Sequence, residues 1–228
     1  MLIDINNCDL NNDYFHFSNK NNIQGILNDG LKPTLGPASK MVGDEPNVSV
    51  SMGARGIMGI INSFIFMFSN TTIENIPEEY KKYYHEISDF SSSELVDRDL
   101  ACKAMTRKLK DEVYFRVRLD ESHLNKAQVG GLTGFDIKMP VAIDKTNIDL
   151  VSENGKVLSA YDVSLSIYNK VKDNDIFREF NEDFFYMFEN KSNFYSNNEH
   201  IEDIYDTLKR WNKYILHNNL IGNKKTKV

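Results

Sequence analysis

Apolar and polar residues follow two rhythms along the first two-thirds of this chain and one rhythm after it. Tyr14-Phe15-His16-Phe17-Ser18 is a short aromatic run of strand type, and Val48-Ser49-Val50-Ser51 alternates strictly. Glu112 to Leu119 is the clearest strand, and Phe135 to Ile143 and Ile148 to Val151 predict two more. Between these runs the period is helical. Ile23, Ile26 and Leu27 make a compact stripe that Ser18 or Asn19 can cap and Gly30 can end. Gly53, Gly56 and Gly59 lead into an apolar helix over 54–68, and Pro77 opens the first of two mostly surface-facing helices over 77–87 and 92–109. Gly130-Gly131 and Asn154-Gly155 mark turns, 34–46 and 69–76 read as loops, and the polar residues 1–13 as an irregular lead-in.

Beyond 156 only the helical period remains. Helices are expected over 160–172, 175–190 and 200–217, the second carrying the stripe Phe177, Phe180, Phe184, Phe185 and Phe188. The organisation this implies is an α+β domain over 1–155 with a helical C-terminal portion over 156–228 packed on it.

At 228 residues, with 41% hydrophobic and 26% charged, the chain can bury a core of its own. Its formal charge of −6 argues against a nucleic-acid partner; the basic tail of Lys224, Lys225 and Lys227 reads as a solvated end. Cys8 and Cys102 form neither a disulfide framework nor a metal site, and two reduced thiols fit a cytoplasmic setting. The acidic opening MLIDINNCDL does not read as a signal peptide, and Ile57 to Phe68 is too short to cross a bilayer.

The stretch with candidate chemistry is Tyr14 to Phe68. It runs as a strand with His-x-Ser, a short helix ending in Gly-Leu, a loop, an S-x-S strand and a glycine-punctuated helix. His16, Ser18, Asn22 (or Asn21), Ile26, Leu27, Gly30 and Leu31 together resemble the opening of the ADP-ribosyltransferase superfamily. The likeness is to its poly-ADP-ribose polymerase branch and, through Ser49 and Ser51, to its DNA-targeting bacterial toxin branch. The motif match spans about 20 residues, and element order extends it to about residue 155.

The resemblance implies a split β-sheet core that binds NAD as substrate in a cleft and transfers ADP-ribose to a macromolecular target. His16 would then meet the adenine-side ribose and Ser18 the nicotinamide side, with Gly30, Ser49 and Ser51 also at the NAD site and the 34–46 loop covering it. The chain departs from the family at three points. Where the toxin branch carries an Arg on its first strand, this chain has His16. No aromatic stands on the second strand to stack on nicotinamide, and where the family places its catalytic glutamate the segment Phe135 to Ile148 contains none.

A carboxylate is needed there because positive charge develops on the ribose as nicotinamide leaves. Three readings stay open: Asp136 substitutes with a shorter reach; Glu112 or Glu153 swings in; or the protein binds NAD or a related ligand without transfer, as a regulatory or binding protein on the same scaffold. No G-x-S-x-G elbow, phosphate-binding loop or dinucleotide fingerprint competes with this reading.

Overall fold

A computed structural model describes residues 1–36, 45–85, 91, 93–130 and 136–189. Most of the expected 34–46 loop, Gly131, Phe135, the helix over 200–217 and the basic tail lie outside the described residues. The strands are β1 (Leu2–Asp4), β2 (Tyr14–Asn19), β3 (Val48–Met52), β4 (Glu112–Val117), β5 (Gln128–Gly130), β6 (Asp136–Met139), β7 (Ile148–Glu153) and β8 (Lys156–Val157). The helices are α1 (Ile23–Asp29), α2 (Gly53–Phe68), α3 (Glu78–His85), α4 (Arg98–Lys110), α5 (Glu121–Leu124), α6 (Ala160–Val171), α7 (Asp175–Phe180) and α8 (Glu182–Glu189). The class is α+β, as the sequence pattern predicts.

Among the described residues the strands form one mixed sheet in the order β1-β7-β4-β2-β3-β6-β5, with β8 paired to β7. Only β1 runs parallel to its neighbour. The ladders differ greatly in length. β2 and β4 pair from Tyr14↔Val117 to Asn19↔Glu112, whereas β2 and β3 register only Tyr14↔Met52 and Phe15↔Ser51. Past Phe15 the sheet opens, and the second half of β2 keeps β4 alone as its ladder neighbour.

Side-chain alternation sorts the sheet into two faces. The first carries Phe15, Phe17, Tyr114 and Val151 and lies under a thick helical layer, with Ile57, Ile61 and Ile65 of α2, Tyr80 and Tyr84 of α3, Leu100 and Leu109 of α4, Val163 of α6 and Phe184 of α8 in one core. The second carries Val48, Val50, Val113, Phe115 and Ile137, covered thinly by α1 and the chain around Leu31, Val141 and Ile143. α2 crosses close to β3 because Gly56 has no side chain: a Cβ there would stand 2.9 Å from that of Ser51.

Several sequence expectations need correction. The lead-in is not wholly irregular, since Leu2–Asp4 adds a strand to β7 and Ile5 is buried. α3 and α4 do not mostly face the surface; they bury Tyr80, Tyr83, Tyr84, Leu100, Cys102, Met105 and Leu109. The expected helix over 175–190 breaks at Asn181, whose side chain donates to the Phe177 carbonyl. Among the described residues, α6 and α8 pack into the same core as α2, α3 and α4. Among the described residues, no helix is long and apolar enough to cross a membrane.

Candidate functional site at the opening of the sheet

The opening is a consequence of local sequence. Asn19 turns β2 into a 3-10 turn by accepting the Asn21 amide on its side chain, and α1 follows at once. Gly30 then ends α1 with φ +81°, a conformation that favours glycine, while its amide still donates to the Ile26 carbonyl. Leu31 leaves in extended form and bridges Ile143, which draws α1 across the second face.

His16 is the side chain that crosses the opening. Its ring lies on the second face, half-buried, and Nδ1 sits 2.9 Å from the Ser49 carbonyl of β3. A carbonyl only accepts, so Nδ1 carries the proton. Burial lowers the pKa of the ring against the opposing pull of that carbonyl, and the neutral form is favoured. Nε2 is therefore an acceptor, suited to an incoming hydroxyl. Ser18 lies on the same face of β2 and accepts from Asn22 Nδ2 at 3.2 Å, so its own proton is available to donate.

Ser49 and Ser51 lie on the other face. Ser51 pairs across from Phe15, and β6 repeats the pattern with Asp136 opposite Ser51 and Lys138 opposite Ser49. The Ser49 hydroxyl donates to Asn47 at 2.7 Å. Here the first face is a polar stripe of Ser49, Ser51, Asp136 and Lys138, in place of the aromatic core beneath β2 and β4.

The structure thus brings some candidates together and separates others. His16 meets the backbone of Ser49, not its side chain. Asp136 stands beside Ser51 but on the opposite face from the His16 ring. Gly30 serves the end of α1, and the direction a side chain would take is filled by the Ile143 carbonyl, 2.3 Å from an ideal Cβ. Glu153 is exposed at the end of β7, opposite Lys156.

No family model, curated protein or solved structure matches this chain.

Glu112 is the candidate whose surroundings differ most from expectation. It is buried on the first face, where Lys108 of α4 donates to Oε1. Burial pushes Glu112 up and Lys108 down, while each draws the other back toward its charged form. Sequence reasoning singled out Glu112 and passed over Lys108. The i, i+4 spacing of the two was the available signal.

Proposed function

We propose that this protein is ADP-ribosyltransferase-like and binds NAD at the opening between β2 and β3. The observation that carries the reading is that the β2–β3 ladder stops after Phe15↔Ser51 while the neutral His16 ring reaches over the gap to Ser49. The resemblance implies NAD held beside the first-strand histidine, and the parting of the ladder next to His16 supports that reading. An acceptor Nε2 suits a ribose hydroxyl, and a donor-ready Ser18 with the open edge of β2 suits a carboxamide.

Transfer of ADP-ribose to a macromolecule would draw on Asp136, at the start of β6 and across from Ser51. A second reading, NAD binding without transfer, is favoured by one observation: the Asp136 and His16 side chains leave their strands toward opposite faces. Glu112 supports neither role, because Lys108 engages it on the face away from His16.

Calorimetric titration of NAD into wild type and His16→Ala tests the binding reading. Micromolar binding in wild type, weakened at least about tenfold in the variant, is expected. Absence of heat with wild type overturns it. Labelled NAD incubated with lysate then separates the two readings: label on macromolecules that is lost in Asp136→Asn supports transfer, and wild-type binding without label supports binding alone.

A further inference from the structure

The strand that carries His16 and Ser18 is supported unevenly. Tyr14 and Phe15 have ladder partners on both sides, whereas residues 16–19 have β4 alone. Among the described residues, that half therefore lacks the second flanking strand that fixes Tyr14 and Phe15.

On the face opposite His16, Phe17 lies between two groups. Its ring is 5.4 Å from that of Tyr114, and the Lys108 ammonium stands 4.2 Å from its centroid. The same ammonium is 5.2 Å from the ring of Tyr80 and donates to Glu112, which pairs across from Asn19 at the end of β2. Lys108 and Glu112 are both buried, and Glu112 Oε2 has no hydrogen-bond partner among the described residues. One buried ammonium therefore touches the middle of the half that has β4 alone and is tied to the residue facing its end.

As a stability device this is a poor choice. Two buried charges lose more hydration than their attraction returns in many proteins, and apolar residues of like volume often do as well or better. What the pair provides is geometry: a cation over a ring has a preferred place, and a charge-assisted hydrogen bond to Glu112 fixes where that cation sits.

We infer that Lys108 and Glu112 are positioning residues for the site edge, holding residues 16–19 of β2 in register through Phe17 and Asn19. This rests on the NAD-binding reading for its functional meaning but not for its test. Two variants serve. Lys108→Met with Glu112→Leu replaces the pair by apolar volume. Phe17→Leu keeps the pair and removes the ring beneath it.

Amide hydrogen exchange is measured across the sheet, with the ring nitrogen signals of His16 as a second readout. In both variants, exchange at residues 16–19 is expected to rise about tenfold relative to Phe115 and Val117 of β4. The His16 Nδ1 proton should lose its protected signal. Should the double variant fail to fold, Phe17→Leu carries the test alone. Exchange that stays at wild-type values, or that rises uniformly over the sheet with the melting temperature lowered, overturns the inference. NAD titration is run alongside: a wild type that binds none removes the NAD reading and leaves the exchange result to stand by itself.

Discussion

The two halves of the sheet present the same first face to the same side of the molecule and fill it differently. Under β2, β4 and β7 that face is mainly Phe15, Phe17, Tyr114 and Val151 beneath five helices, and its charges, Glu112, Arg116 and Asp149, are held in ion pairs. Under β3 and β6 it is Ser49, Ser51, Asp136 and Lys138. The first half is shaped by burial and has little freedom to change. The second half keeps hydroxyls, a carboxylate and an ammonium, and the His16 ring on the opposite face meets it at the Ser49 backbone.

The comparison can be broken most directly by truncating each half in turn. Phe15 is fully buried and meets Tyr114 edge-on at 6.4 Å. Phe15→Ala should cost about 3–5 kcal/mol in urea unfolding. Ser49→Ala, on the polar half, should cost less than about 1 kcal/mol. Equal losses would mean that the polar half is part of the structural core. Glu112→Leu alone should be nearly as harmful as Phe15→Ala, about 3–5 kcal/mol, because it leaves Lys108 charged and buried without a counter-ion.

A second prediction concerns how the C-terminal helices are held to the first half. Arg98 of α4 forms an ion pair with Asp183 of α8 at 2.5 Å, and the Asp183 amide donates to the Asn62 side-chain oxygen of α2 at 2.8 Å. Burial nonetheless outweighs Arg98 and raises the Asp183 carboxyl to about 6. A carboxyl raised on folding binds more protons in the native state, so stability falls as pH rises from about 4 to about 6 and is level above. Asp183→Asn should remove that slope, with a difference of up to about 3 kcal/mol between the two ends of the window. Glu112, raised in the same direction, adds a slope of the same sign that the Asn variant keeps. The measurement is urea unfolding of both proteins at pH 4, 5, 6 and 7. Parallel curves would show that Asp183 does not titrate in this window.

Much of this framework was legible in the sequence because it is local. The alternation of Val48 to Ser51, the stripe of Ile23, Ile26 and Leu27 with its closing Gly30, and the Asn154-Gly155 turn with φ of 48° and 77° each depend on a few adjacent residues. What escaped depends on distant pairing. β1 is three residues that find their partner in β7 nearly 150 positions away, too short to show a period. The burial of α3 and α4 was hidden by tyrosines and lysines whose stems and rings face inward. At the site, the residue types His16, Ser49 and Asp136 were readable, but their faces were not. Those follow from the register Phe15↔Ser51 and Ser51↔Asp136, and a one-residue slip would have exchanged them.

A small effect is as informative, because it reports on a bond that crosses the opening between the halves beyond the Phe15↔Ser51 pair. His16→Ala removes a single hydrogen bond to Ser49, and at neutral pH the loss should be about 1 kcal/mol. Its pH dependence identifies the cause. Burial holds the folded-state pKa of the ring below the ordinary 6.5, so the unfolded chain takes up the proton first. The contribution of His16 is therefore fully present above pH 6.5 and declines as pH falls below it. The stability difference between wild type and His16→Ala should then narrow from pH 7 to pH 5. A difference that widens instead would mean that the ring is charged in the folded protein, and an imidazolium has no acceptor to offer a ribose hydroxyl.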